Sequence, residues 1–197
     1  VTPIPLTKGT SLWVRNLFFN VPARLKYLKS DRSKFIPMLK FVQTVALLHP
    51  DIALSLINDN RNVFQSGGNG RIEDVFLDVF TDEVAKDLLR IDYQIEGIHV
   101  RGYCSTPSQS RMDREKQIVC VNGRPVQSDL IGKAIRQSLQ TIFPSQRFPY
   151  LFLHIDVPPA DIDVNVHPAK LEVKFAEDSL IFRAVFHAIS NVFTVGV

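Results

Sequence analysis

The stretch Asp163-Val164-Asn165-Val166-His167-Pro168-Ala169-Lys170, continued by Leu171-Glu172-Val173-Lys174-Phe175, organises the reading of this chain. Polar and apolar residues alternate on both sides of a Pro corner, the period of a half-buried strand. Pro168 stiffens the corner because its ring locks φ, and one small residue separates it from Lys170. Such a loop holds one long cationic arm at a fixed place beside a sheet. A compact ammonium on a flexible stem suits contact with a terminal phosphate. By local pattern alone Lys170 also fits an ordinary solvated charge at the start of a strand.

Working outward, Tyr150 to Val157 reads as a strand closed by Pro158-Pro159. After the lysine loop, Leu171 to Phe175 is a strand. Asp178 or Ser179 then caps a helix whose inward residues are Ile181, Val185, Ala188, Ile189 and Val192. Upstream, Asp129 begins a helix with the stripe Ile131, Ala134, Ile135, Leu139 and Ile142, stopped by Pro144. Gln117 to Val121 is a strand ended by the turn dipeptide Asn122-Gly123. Residues 91–95 and 98–103 alternate as two strands around Glu96-Gly97, and Ser105 to Lys116 is a polar loop. Four or five strands with two main helices imply an α+β domain, one sheet covered on one face.

The first third is organised differently. Thr10 to Leu17 alternates as a strand, and Pro22 opens a short basic helix over Ala23 to Lys29. Ser33 caps a helix carrying Phe35, Met38, Leu39, Val42, Val45 and Ala46 at helical spacing, ended at His49-Pro50. Ile52 to Ile57 and Asn62 to Gln65 form a hairpin around Asp59-Asn60, and Ile72, Val75, Phe76 and Val79 form a short helix. Ser66-Gly67-Gly68-Asn69-Gly70 is the one glycine cluster. It lacks the Lys-Ser/Thr of a phosphate loop, so it reads as a hairpin exit or a flexible connection between two domains.

Bulk composition excludes several classes. At 197 residues, 45% hydrophobic and 22% charged, the chain has enough apolar content for a core and is not disordered. Cys104 and Cys120 lie far apart in strands and read as buried thiols. No apolar run approaches the roughly 20 residues of a membrane span, and Val1-Thr2-Pro3-Ile4-Pro5 has neither the basic end nor the apolar run of a signal peptide. A cytoplasmic protein is expected. The chain lacks an initiator Met and is expected to be a fragment.

The net charge of +3 neither requires nor excludes nucleic acid, so the position of charge matters more than its sum. Lys133, Arg136, Gln137 and Gln140 share the polar side of the helix after Asp129, and Arg147 lies beyond its end. With Lys26 and Lys29 they form a candidate basic groove, which phosphate contacts would fill without regard to sequence. A solvated helix face explains the same residues. The five histidines show no metal-ligand spacing, and His167 reads as a loop-ordering residue.

Four segments, in order along the chain, together resemble the MutL family of DNA mismatch-repair ATPases. They are Gly9-Thr10-Ser11-Leu12-Trp13-Val14-Arg15-Asn16-Leu17-Phe18-Phe19-Asn20-Val21-Pro22-Ala23-Arg24, Val121-Asn122-Gly123-Arg124-Pro125-Val126, Arg147-Phe148-Pro149, and the lysine stretch. The resemblance implies an α+β fold: residues 1–68 as the end of a GHKL ATPase sandwich, residues 69–197 as a ribosomal-protein-like transducer domain with a left-handed βαβ crossover. The crossover's hand comes from the resemblance alone, since the default is right-handed. The resemblance further implies that Lys170 contacts the ATP γ-phosphate and that Thr10 hydrogen-bonds in the adenine pocket. It implies Mg and ATP as cofactors of a longer parent protein. DNA, a MutS-type mismatch-recognition protein and a second copy of the parent are its implied partners.

The family's general-base Glu, magnesium-ligand Asn, Asp-x-Gly-x-Gly box and glycine-rich lid match no residues here. They are expected upstream of Val1. The chain alone is therefore expected neither to bind ATP tightly nor to hydrolyse it, since general-base catalysis needs a carboxylate beside the attacking water. Two other readings stay open: the transducer of another GHKL machine such as a type II topoisomerase, and a nucleic-acid-binding module with no ATP role. The N-PAR and VNVHPAK wording argues against the former, and the Lys170 loop against the latter.

Overall fold

The computed structural model describes residues 9–26, 31–80, 84, 88–163 and 173–194, without the side chains of 31–34. The chain divides into two compact units, Val1–Lys40 and Phe41–Val197. In the first, residues 9–15 have no regular structure and Asn16 to Asn20 form turns, with positive φ at Asn16 and Phe18. The strand expected over Thr10 to Leu17 is therefore not formed. A strand needs a neighbour to bond, and no described strand pairs with this segment. Leu12 and Trp13 are 84% and 70% exposed, so burial does not order it either. Helix α1 is Pro22–Lys26, and Arg24 lies over the Phe18 ring at 5.8 Å.

Helix α2, Asp31–Leu48, begins before Ser33, so that residue is inside the helix rather than its cap. In the second unit its last turns bury Thr44, Ala46 and Leu47. Strands β1 (Ser55–Asn58) and β2 (Arg61–Gln65) pair antiparallel. Asp59 and Asn60 both have positive φ, which a tight primed turn demands and Asx residues tolerate. The glycine cluster is docked rather than loose. The Ser66 hydroxyl accepts from the Leu54 amide at 3.1 Å, and a Cβ on Gly68 would lie 2.4 Å from the Ala53 nitrogen.

Helix α3 (Ile72–Phe80) leads to β3 (Leu88–Ile95) and β4 (Ile98–Ser105). Next come β5 (Ser110–Arg111), β6 (Gln117–Val121), β7 (Arg124–Pro125) and α4 (Asp129–Leu139). Strands β8 (Phe148–Pro149), β9 (Leu151–Asp156), β10 (Ile162–Asp163) and β11 (Lys174–Phe175) follow, and α5 (Asp178–Thr194) ends the described chain. Five strands form one sheet in the order β3-β4-β9-β6-β7. Strands β6 and β9 are parallel, with α4 in the connection between them; the other neighbours are antiparallel. The α+β architecture with a βαβ crossover is thus present.

Period-2 alternation sorts the sheet residues onto two faces. Ile91, Ile98, Val100, Cys104, Leu151, Leu153 and Ile155 pack with Ile131, Ile135 and Leu139 of α4 and Ile181, Val185 and Ile189 of α5. The opposite face is not bare, as a sheet covered once would be. Phe76 of α3 meets Tyr103 with ring centroids 6.2 Å apart, and the Tyr103 hydroxyl donates to Glu73 at 2.5 Å. Gly102 lies where β4 and β9 approach closely: a Cβ there would sit 1.9 Å from the Phe152 carbonyl oxygen. Burial pushes the thiols of Cys104 and Cys120 up, the latter to about 12. Both cysteines are free, buried thiols.

Candidate functional site

Helix α4 begins with a cap that its sequence supplies. The Ser128 hydroxyl accepts from the Ile131 amide at 3.3 Å, satisfying one of the orphan donors of the first turn. Ile131, Ala134, Ile135, Ser138 and Leu139 are buried at three- and four-residue spacing. Lys133, Arg136, Gln137 and Gln140 are therefore left on the solvent side, where all four are exposed.

That face is one wall of an open groove of about 850 Å³. The other wall comes from Arg147 and Phe148, with Phe143 and Phe182 supplying apolar surface. Four cations line the groove, Arg114, Lys133, Arg136 and Arg147, and no Asp or Glu is among the lining residues. Arg147 is placed by the turn after Pro144, where its amide donates to the Pro144 carbonyl at 3.0 Å. Its guanidinium also donates to the Ser110 carbonyl at 3.4 Å. The short β5–β8 ladder, with Ser110 opposite Pro149 and Arg111 opposite Phe148, fixes this corner.

Arg114 is the groove residue that the sequence reading missed. It sits in the loop after β5, with its guanidinium 4.6 Å from the centre of the Phe148 ring. Arg111 and Asp113 order that loop: Arg111 donates to Asp113 at 2.9 Å, and Asp113 accepts from the Glu115 amide at 3.0 Å. The Arg111 guanidinium, then the Glu115 amide, hold the Asp113 carboxyl below the usual range. The available signal was the run Arg111, Arg114, Lys116 in one loop. Nothing in the sequence said that this loop folds beside α4.

The opposite face of the sheet also carries charge, but arranged in pairs. His99 is 2.7 Å and Arg90 3.3 Å from Asp92, while Arg101 is 2.5 Å and His154 3.4 Å from Asp156. The hydrogen bond from His99 lowers the Asp92 pKa. Burial lowers that of His154, whose Nε2 accepts from the Gly123 amide at 3.2 Å. The Asn122 side chain donates to the Val157 carbonyl at 2.9 Å and accepts from its amide at 2.8 Å. It thus does more than turn the chain: it pins the exit of β9.

The remaining expected site residues are placed as follows. Thr10 is exposed in the irregular segment of the first unit, and Lys26 is exposed at the end of α1 in that unit. Lys29 and Lys170 lie outside the described residues. Strands β10 and β11 pair Ile162 with Phe175 and Asp163 with Lys174, so the two ends of the lysine loop are joined. No group of three or more His, Cys, Asp or Glu among the described residues could hold a metal ion. No helix among the described residues is long and apolar enough to cross a membrane.

Residues 76–194 match the family described as DNA mismatch repair protein, C-terminal domain, and they contain both walls of the groove. The chain belongs to the MutL family of DNA mismatch-repair proteins. It is 36% identical over 186 residues to the DNA mismatch repair protein MutL of Bacillus mycoides (strain KBAB4), covering 94% of this chain and 29% of that protein. To the MutL of Staphylococcus saprophyticus it is 34% identical over 191 residues, 97% of this chain and 29% of that one. This MutL-family chain thus spans under a third of the length of these relatives. Among solved structures, the N terminal domain of a DNA repair protein superposes with TM-score 0.72 at 23% identity, over 90% of this chain and 59% of that one. The Aquifex aeolicus MutL ATPase domain complexed with ADP gives 0.56 at 21%, over 87% and 55%. These likenesses are of fold.

Proposed function

We propose that this chain is the part of a MutL-type protein that couples ATP binding and hydrolysis to dimer closure and to DNA. In this reading residues 1–68 complete the ATPase domain and residues 69–197 are the transducer domain. The observation that carries the DNA half is the groove, in which Arg114, Lys133, Arg136 and Arg147 meet without a carboxylate among the lining residues. Cations that line a groove with no carboxylate among its lining residues can replace the counterions of a phosphate backbone, giving sequence-independent and salt-sensitive binding. Lys26 and Lys29 are proposed as further phosphate contacts of the parent protein. A MutS-type protein supplies the mismatch signal, and the working parent is a homodimer.

The nucleotide half rests on Lys170 and Thr10. ATP with magnesium, bound by the parent, supplies a terminal phosphate whose loss changes local charge. Lys170 is the residue of this chain that would meet that phosphate, and Thr10 the one that would meet the base. The pairing of Asp163 with Lys174, which joins the two ends of the lysine loop, supports the reading. A contact made with one nucleotide state and lost in the next biases a two-state equilibrium. A charge-assisted hydrogen bond of this kind is worth roughly 1.5–3 kcal/mol.

The test uses the parent protein. Lys170→Met is expected to cut ATP turnover and ATP-dependent dimerisation about tenfold or more while circular dichroism is unchanged. Unchanged turnover and dimerisation would demote Lys170 to a surface charge. The groove would then stand alone as a nucleic-acid-binding module, the second reading it favours.

A further inference from the structure

Strand β3 ends the five-stranded sheet, with β4 on one side and no described strand on the other. It runs eight residues, Leu88–Ile95, without a bulge and without Pro. Such an edge offers a row of unpaired backbone groups and is a template for another strand. The β3–β4 hairpin closes through Glu96-Gly97, with Ile95 opposite Ile98. A two-residue turn is flanked by a hydrogen-bonded pair, and bonded and non-bonded pairs then alternate. Residues 95, 93, 91 and 89 thus turn their backbone groups towards β4. Residues 88, 90, 92 and 94 turn theirs outward.

Side chains on this edge form a self-complementary pattern. Leu89 and Tyr93 lie on the α5 side, half-buried, and Arg90 and Asp92 lie on the other, both exposed. Beside the edge runs an open groove of about 620 Å³, lined by Leu88, Leu89 and Tyr93 together with Ala188, Asn191 and Val192 of α5.

We propose that this edge is a self-association surface, where β3 of two copies of the chain pair antiparallel about a two-fold axis at Ile91. In that register Arg90 lies opposite Asp92 of the second copy, and Asp92 opposite its Arg90. On the other face Leu89 lies opposite Tyr93 of the second copy, twice, and these side chains fill the two grooves beside α5. The facing pairs 90 and 92 are both outward-pointing, so backbone bonds and charges agree on the same register. A like-charged or one-signed edge would oppose this pairing; the Arg-x-Asp spacing favours it. The contact is isologous and closes on itself, so the product is a dimer rather than a fibre. The two sheets become one of ten strands. This surface is independent of the nucleotide and DNA readings above.

Sedimentation velocity of the full 197-residue chain, from micromolar to submillimolar concentration, tests the idea. A reversible monomer–dimer equilibrium is expected. Arg90→Asp and Asp92→Arg, each placing like charges opposite one another twice, are expected to weaken it roughly tenfold or more. The double variant, which swaps the charges, is expected to return to within a few-fold of the parent chain. A chain that stays monomeric throughout, or a dimer indifferent to both single reversals, would overturn the proposal. Should the variants fail to fold, deuterium exchange of the unmodified chain decides. The Arg90 and Asp92 amides are expected to slow as concentration rises, and exchange independent of concentration would refute the pairing.

Discussion

Two faces of the second unit carry the same kinds of charged side chain and use them in opposite ways. On the outer face of β3, β4 and β9, each arginine sits with a carboxylate: Arg90 with Asp92, which also accepts from His99, and Arg101 with Asp156. In the groove beside α4, Arg114, Lys133, Arg136 and Arg147 gather with no Asp or Glu among the lining residues. A net charge of +3 averages these two surfaces and describes neither. Paired charges on an exposed sheet add little stability and offer a polyanion no net field. Unpaired ones in a concave site focus a field that a polyanion can use. The comparison teaches that the field a surface offers depends on which cations have a carboxylate beside them, not on how many there are.

Charge reversal in the groove is the largest expected break in that comparison. The double variant Lys133→Glu, Arg136→Glu is expected to weaken DNA binding about a hundredfold at low salt and to flatten its salt dependence by about two phosphate contacts. A fluorescence titration over several salt concentrations measures both. Loss of affinity with an unchanged salt slope would mean that these side chains do not meet phosphate.

A smaller effect is expected where α3 is fastened to the sheet. Tyr103→Phe removes the hydrogen bond to Glu73 and is expected to cost roughly 1 kcal/mol in urea unfolding, because the carboxylate itself is exposed. The same bond sets a pH window. It is the main cause that lowers the Glu73 pKa from 4.5, while burial, then Glu73, push Tyr103 up to about 12. A lowered carboxyl contributes stability above its ordinary value and loses it as pH falls through the folded one. A raised phenol contributes below its ordinary value of 10.0 and loses it as pH rises through about 12. The difference between the two proteins is therefore expected to hold near neutrality and to shrink at both extremes. A difference that persists in strong acid would show that packing, not the hydrogen bond, is what the hydroxyl contributes.

The smallest effect sharpens the contrast from the paired side. Arg101→Gln removes the ion pair to Asp156 and is expected to change stability by less than about 1 kcal/mol, since the pair is half exposed. DNA affinity is expected to stay within twofold. A large loss of affinity from this variant would erase the distinction between the faces.

Much of the second unit was legible because its signals are local. The Glu96-Gly97 and Asn122-Gly123 turns sit where their dipeptides require positive φ, and the apolar stripes of α4 and α5 face the core as spaced. The misreadings share one cause. Thr10 to Leu17 alternates like a strand, yet alternation states only what a segment could bury, not whether a neighbour exists to bond it. Ser66 to Gly70 was open between a hairpin exit and a loose connection, and the Ser66 hydroxyl and the close approach of Gly68 to Ala53 decide for the hairpin exit. Arg114 was invisible for the same reason, since its role depends on a loop returning beside a helix.

The sequence by itself determined the family and the α+β class. It also determined the basic face of α4, because each is written in turn chemistry, periodicity or wording within a short window. Only the tertiary structure decided that both faces of the sheet are covered and that Asn122 pins Val157 across 35 residues. It alone decided which cations have acidic neighbours and which line the groove without them. Charge pairing is a matter of distance in space, and distances between residues far apart in the chain exist only once the core has fixed them.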